Sequence, residues 1–190
     1  GSMGATTSSS VRMYNPMDVA VDSQGNIFVV EYGYHRIKKY NPSGSLLKTI
    51  GGYGGSNGRF RYPFKIAVDS NDNIYISDYR NNRVQKLDNN GKWLKNYTGL
   101  SGPNEVAVDV NGNVYAAYYN YSGLIRKWDN NGTYLTQWSS RYAHGLSVYN
   151  GVVYAAIYPY RKVIKYSDTG VLEGSWSTAA NNAYPIDIEV

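Results

Sequence analysis

Apolar residues fall along this chain in short runs of about five residues, separated by clusters of Asn, Asp, Ser and Gly. The runs repeat as phrases. The first phrase is Pro16-Met-Asp-Val-Ala-Val-Asp22, returning as Pro63-Phe-Lys-Ile-Ala-Val-Asp69, Pro103-Asn-Glu-Val-Ala-Val-Asp109, Ala143-His-Gly-Leu-Ser-Val-Tyr149 and Pro185-Ile-Asp-Ile-Glu-Val190. Each complete copy is followed by a second phrase (Ile27–Glu31, Ile74–Asp78, Val114–Tyr118, Val153–Ile157) and a third (Arg36–Tyr40, Arg83–Leu87, Leu124–Trp128, Lys162–Tyr166). A fourth phrase closes the copy: Leu46–Ile50, Trp93–Tyr97, Tyr134–Trp138, Leu172–Trp176. Runs of this length, rich in β-branched and aromatic residues, predict strands, four to a repeat. No helical period of comparable length occurs.

The separators predict how the strands connect. Ser23-Gln-Gly-Asn26, Ser70-Asn-Asp-Asn73, Val110-Asn-Gly-Asn113 and Asn150-Gly151 join the first strand to the second, with residues that tolerate left-handed backbone. Asn41-Pro-Ser-Gly44, Asp88-Asn-Asn-Gly91, Asp129-Asn-Asn-Gly132 and Ser167-Asp-Thr-Gly170 join the third to the fourth, and the closing glycine suits a type I turn with a bulge. Four antiparallel strands repeated about every 42 residues are the blade of a β-propeller. The expected architecture is all-β, with blades at 16–62, 63–102, 103–142 and 143–184 and one extra innermost strand at 185–190. Gly1-Ser2-Met3 reads as a cloning scar and residues 4–10 as a polar leader.

The phrase P-x-x-V-A-V-D-S-x-G-N-I-[YF]-V-x-[DE], followed by R-[IV]-x-K-[YL]-[DN]-x-x-G, resembles the NHL repeat family of β-propellers. The resemblance runs over residues 16–176; repeat three has Leu124 at the place of the family's Arg, and repeat four has Ala143 and Tyr149 in place of its Pro and Asp. It implies a ring, usually of six blades, of which four are present. An open ring exposes apolar blade faces and strand edges, so three expectations stand: a fragment of a longer propeller, an unusually small ring, or self-association of copies into a larger one.

Composition narrows the function. The chain holds 21 Tyr, 20 Gly and no Cys, with a formal net charge of +5. The absence of Cys removes disulfides, thiolate nucleophiles and Cys-based zinc sites. No apolar run approaches the roughly 20 residues of a membrane-spanning helix. The charge permits an anionic partner without requiring one.

Because strand direction alternates, the loops between second and third strands share a face with the blade-to-blade connections, and this face differs in composition from the opposite one. It carries Tyr32-Gly-Tyr-His-Arg36, Tyr79-Arg-Asn-Asn-Arg83, Tyr119-Asn-Tyr-Ser122 and Tyr158-Pro-Tyr-Arg-Lys162, joined by Arg59-Phe-Arg-Tyr62 and Arg141-Tyr142. The other face is Asn, Asp, Ser and Gly. Tyr and Arg interleaved in this way supply stacking surfaces and multidentate donors. Tyr34, Arg80, Tyr121, Tyr160 and Arg161 are the candidate ligand contacts, because they do not recur in step as a fold position would, and His144 joins them.

Other residues read as structural. Arg36 and Arg83 are expected to bond Glu31 and Asp78 within their blades, Tyr75, Tyr115 and Tyr154 to pack the blades, and Asp22, Asp69 and Asp109 to accept bonds in their turns. Asp69-Ser-Asn71-Asp-Asn73 and Asp109-Val-Asn111-Gly-Asn113 echo a calcium loop, but Ile74 and Val114 stand where glycine is needed. Asp18, Glu105 and Asp187 share one first-strand position, interrupted by Lys65 and Gly145. Gly54-Gly-Ser56-Asn-Gly58 fits a nucleophile pattern without the strand-to-helix turn it requires. Some enzymes resembling the family hold zinc with several channel histidines; His35 and His144 are the only two here, so no metal and no cofactor is expected.

The resulting expectation is a non-catalytic binding or scaffolding module for a protein or glycan ligand. A lyase or hydrolase acting on a polysaccharide or peptide is the alternative, and single-stranded RNA binding, as in some NHL-repeat proteins, is the third. The sequons at Asn96, Asn120 and Asn131, with the lack of Cys, suit an extracellular or surface protein.

Overall fold

A computed structural model describes residues 13–119, 121–177 and 184–188. The leader at 1–10, the sequon residue Asn120 and the last two residues of the fifth phrase lie outside them. Sixteen strands form four separate antiparallel sheets. Blade 1 is β1 (Pro16–Val21), β2 (Ile27–Glu31), β3 (Arg36–Tyr40) and β4 (Leu46–Gly51). Blade 2 is β5 (Pro63–Val68), β6 (Ile74–Asp78), β7 (Arg83–Leu87) and β8 (Trp93–Tyr97). Blade 3 is β9 (Glu105–Val108), β10 (Val114–Ala117), β11 (Leu124–Trp128) and β12 (Tyr134–Ser139). Blade 4 is β13 (Ala143–Tyr149), β14 (Val152–Ile157), β15 (Lys162–Ser167) and β16 (Leu172–Ser177).

Each sheet is a meander in chain order, with β1 packed beside β5, β5 beside β9 and β9 beside β13. First strands therefore share an axis. The bulge expected from the glycine turns is present in all four blades, at Lys39/Tyr40, Lys86/Leu87, Lys127/Trp128 and Lys165/Tyr166. Gly44, Gly91, Gly132 and Gly170 hold φ of +81° to +89° there. In the first hairpins Asp22 Oδ1 accepts the Gln24 and Asn26 N–H groups at 3.0 and 2.7 Å, and Asp69 and Asp109 repeat the pattern. These carboxylates satisfy their own turns.

The core lies between blades, because a four-stranded sheet has two faces to cover and only its neighbours to cover them. Phe28, Val30, Ile37 and Ile50 of blade 1 meet Ile66, Ile74, Ile76 and Leu87 of blade 2. Tyr75, Val84 and Tyr97 then meet Val106, Val114, Ala116 and Trp128. Tyr115, Ala117 and Ile125 meet Leu146, Val153, Ala155 and Tyr166. Fully burying one such side chain stabilises by about 1.5–3 kcal/mol, so every junction is a substantial interface.

The expected fifth first strand is corrected in part. Residues 184–188 stand in its place along the chain but belong to no strand.

Candidate functional site

The mouth of the channel is built by one backbone device used repeatedly. The residue before each of the first four first-strand phrases is in the left-handed region: Asn15 (φ 48°), Tyr62 (55°), Gly102 (61°) and Tyr142 (61°). This sharp turn carries the chain from the outermost strand of one blade to the innermost strand of the next. For Tyr the conformation costs on the order of 1–3 kcal/mol, and ring contacts offset it. Tyr62 packs on Tyr32 with centroids 4.8 Å apart, and Tyr142 on Tyr119 at 5.4 Å. At the intervening junction Gly102 sits so close to Tyr79 that a Cβ would fall 2.9 Å from its ring.

The second-to-third-strand loops of blades 1, 2 and 4 also repeat, so Tyr34 and Tyr160 recur in step after all. Tyr79–Asn81 and Tyr158–Tyr160 are single 3-10 turns closed by left-handed Asn82 (φ 55°) and Arg161 (φ 50°), and His35 takes the same conformation (φ 55°). The loops of blades 1, 2 and 4 thus share a left-handed closing residue, with Tyr34, Asn81 and Tyr160 at corresponding places; six residues rather than four separate β10 from β11, so Tyr121 stands outside this series.

Two aromatic clusters result. On blades 1 and 2, Tyr32 contacts Phe64 at 6.1 Å and Phe64 contacts Tyr79 at 6.4 Å, while His35 packs edge-on to Tyr62 and accepts the Tyr62 N–H on Nδ1 at 3.0 Å. Burial lowers the His35 pKa, with partial opposition from Asp78. On blades 3 and 4, Tyr142 touches Tyr119, Tyr121 and Tyr160, and Tyr119 leads through His144 to Tyr158. The sequence-predicted residues divide between them. Tyr121, Tyr160, His144 and Arg161 belong to the blade 3–4 cluster; Arg80 lies over Tyr79 at 5.4 Å; Tyr34 sits apart, against Tyr14 and under Arg36.

Arg36 and Arg83 do bond in their blades, Nε to Glu31 at 2.5 Å and to Asp78 at 2.9 Å. Asp78 is a hub, also accepting the Arg61 N–H, Asn81 and Gln85 at 2.7–3.0 Å. Tyr75 and Tyr115 are fully buried, as a packing role requires, and Tyr154 packs on Trp176 at 6.3 Å. Ser56 offers its carbonyl to Arg83 at 2.9 Å in a connection between blades, not at an elbow.

Between the clusters, on the axis, the third positions of the first strands meet. Lys65 Nζ lies 2.8 Å from Asp187 and 3.5 Å from Asp18, and all three line a cavity of about 620 Å³ with Glu105 and Leu146. Burial lowers the Lys65 pKa, but Glu105, Asp187 and Asp18 together overcome it and raise the net value. Glu105 is almost wholly buried, and that desolvation carries its carboxyl well above the usual range despite Lys65. Among the described residues no three His, Cys, Asp or Glu side chains converge as a metal site.

Sequence reading placed Tyr62, Tyr119, Tyr142 and Tyr158 on this face without choosing them as candidate contacts, and it missed Phe64 and Tyr184. Their signal was positional: a Tyr opens every second-to-third-strand loop, and three of the five first-strand phrases are preceded by Tyr.

Comparison with known proteins agrees with this architecture. The NHL repeat family model matches residues 60–87. No curated protein sequence matches the chain. Among solved structures it is similar to a catalytically inactive virginiamycin B lyase from Staphylococcus aureus with quinupristin (TM-score 0.75, 16% identity, 93% of this chain and 60% of that one). It is also similar to a streptogramin B lyase (0.75, 18%, 93% and 59%) and to Kuenenia stuttgartiensis hydrazine synthase (0.73, 12%, 92% and 52%). The chain spans between half and three fifths of the length of these structures. It is an array of four β-propeller blades, matched by the NHL repeat model over residues 60–87.

Proposed function

We propose that the chain is a non-catalytic binding and scaffolding module whose tyrosine and arginine loop face takes a protein or glycan ligand. One observation carries this reading: Tyr34, Tyr121 and Tyr160 expose 47%, 65% and 54% of their surface on second-to-third-strand loops of one face. Rigid aromatic side chains lose little entropy on contact and offer both a ring and a hydroxyl. Arg80 and Arg141 add exposed guanidinium groups, Arg141 lying 4.5 Å over Tyr121.

The test is binding to arrays of glycans and extended peptides, comparing the chain with a Tyr34→Ala/Arg80→Ala/Tyr121→Ala/Arg161→Ala variant. The reading expects every saturable signal to fall at least about tenfold at unchanged melting temperature; signals that survive the four substitutions overturn it.

A second reading, a lyase or hydrolase acting on a polysaccharide or peptide, draws on Glu105, a carboxyl at the channel wall whose burial raises its pKa well above the usual range despite the Lys65 ammonium. It requires turnover that Glu105→Gln abolishes.

A further inference from the structure

Cations stacked on aromatic rings recur through this molecule, and near the hairpin face three of them are completed by a carboxylate of the chain. Lys39 lies over Phe28 at 5.0 Å and meets Asp22 at 3.3 Å; Lys86 lies over Tyr75 at 4.9 Å and meets Asp69 at 3.3 Å. Lys127, 5.2 Å from the Tyr115 ring centre, meets Asp168 at 2.9 Å. On the tyrosine face Arg36, over Tyr34, forms the same triad with Glu31 at 2.5 Å. The ring's negative face and a carboxylate are both attracted to the cation, and a charge-assisted bond completes it.

Arg61 and Arg141 have the ring and lack the acid. Arg61 lies 5.2 Å from the Tyr53 ring centre and Arg141 4.5 Å from that of Tyr121. Both are exposed, and among the described residues neither guanidinium has a hydrogen bond or an ion pair. Their positions are equivalent, since each precedes the left-handed tyrosine, Tyr62 or Tyr142, that turns the chain into a first strand. Tyr53 and Tyr121 are also the most exposed tyrosines among the described residues, at 64% and 65%. Arg80, over Tyr79 at 5.4 Å, stands beside Arg61, whose carbonyl accepts its N–H at 3.0 Å. The acids nearby are already engaged. Glu31 and Asp78 are buried and held by Arg36 and Arg83, and Asp18, Glu105 and Asp187 of the channel all act on Lys65.

Resting on the binding-module reading, we infer that Arg61 with Tyr53, and Arg141 with Tyr121, are two equivalent sites for the carboxylated sugars of an acidic polysaccharide. The ligand supplies the acid that the chain itself supplies to Arg36, Lys39, Lys86 and Lys127. Spacing selects the class of ligand. Guanidinium and ring centre lie only 4.5–5.2 Å apart in each pair, and a uronic acid carries its carboxylate directly on the sugar ring. One sugar residue therefore seats its apolar face on the tyrosine while the guanidinium fork takes both carboxylate oxygens. An aspartate or glutamate side chain brings the carboxylate without a ring, and a nucleotide sets phosphate and base on opposite sides of its ribose. Two such sites on one face engage one polymer twice, which raises its affinity without any further contact.

The test is a calorimetric titration of the full chain with polygalacturonate and with alginate, beside the neutral methyl ester of polygalacturonate, poly-glutamate and polyuridylate at the same salt concentration. Saturable binding of at least one polyuronate is expected, at least about tenfold tighter than of the three other polymers, a comparison independent of how any variant folds. Arg61→Ala/Arg141→Ala and Tyr53→Ala/Tyr121→Ala should each weaken it at least about tenfold at unchanged melting temperature. Arg61→Lys/Arg141→Lys keeps the charge but loses the fork, and should weaken it by about as much. A lysine variant that binds like the parent reveals diffuse charge attraction and overturns the sites. So does equal or tighter binding of poly-glutamate or polyuridylate, which makes the partner an acidic protein or a nucleic acid, and so does a failure of both polyuronates to bind. If the polyuronates fail while array ligands sensitive to the four substitutions remain, the two sites are wrong and the binding face stands. If polyuronate binding depends on Arg61 and Arg141 while the other array signals ignore the four substitutions, the broader face is wrong and the two sites stand.

Discussion

The Lys65 ammonium and the Asp187 carboxylate meet at 2.8 Å although 122 residues separate them, and Asp18 lies 3.5 Å from the same ammonium. A single cation from blade 2 therefore ties the first strand of blade 1 to the stretch that follows blade 4. Such contacts are possible only because all first strands approach one axis.

Removing this cation strands its partners. Lys65→Met leaves the largely buried Asp18 carboxylate without its cation, and breaking a pair of this kind costs about 3 kcal/mol. Urea denaturation at pH 7 should show a loss of this order. The loss should shrink at low pH, where the carboxylates are protonated.

Glu105 sets a pH dependence of its own. Its folded pKa lies well above its unfolded value, so the folded state binds the extra proton and stability falls as pH rises from about 4.3 through the folded pKa. Glu105→Gln removes this titration. Melting temperatures should coincide closely at pH 4, with the variant gaining steadily toward pH 8; a variant less stable than the parent at pH 8 contradicts the assignment.

The turn glycines give a matched pair. Gly170 holds φ +89° and lies against Trp138 of the preceding blade, where a Cβ would sit 2.5 Å from the indole; Gly44 holds φ +84° with open space around it. Both Ala substitutions bear the cost of a left-handed alanine, on the order of 1 kcal/mol. Gly170→Ala should cost a further 1–3 kcal/mol, roughly, for overpacking. Equal chemical stabilities would mean that blades 3 and 4 do not stack as described.

Association of copies is tested on β1. Val19 and Val21 are 58% and 56% exposed, whereas Ile66, Val106 and Leu146, the counterparts of Val19, are buried against the preceding blade. If copies complete one another through this face, light scattering should give a molar mass that rises with concentration and falls on Val19→Lys. A constant monomer mass rules the association out.

Much of this fold was legible because a period-2 strand pattern and its turn residues recur in every copy, so each strand was read several times over. Asp22, Asp69, Arg36 and Arg83 were legible for the same reason: each serves a partner within a few residues. The αL Tyr62 and Tyr142 were not, because a tyrosine with positive φ contradicts local propensity and is explained only by a ring from the preceding blade. Tyr34 and Tyr160 looked irregular because Asn81 interrupts their series, yet the shared left-handed closing residue aligns them.

The account places ligand binding on the tyrosine face, and hydrogen exchange measured with and without the best array ligand tests this most directly. Slowed exchange is predicted in the loops at 32–36, 79–83, 121–126 and 158–162, with no change in the hairpins at 23–26, 70–73 and 110–113. Protection confined to those hairpins, on the opposite face, would contradict it.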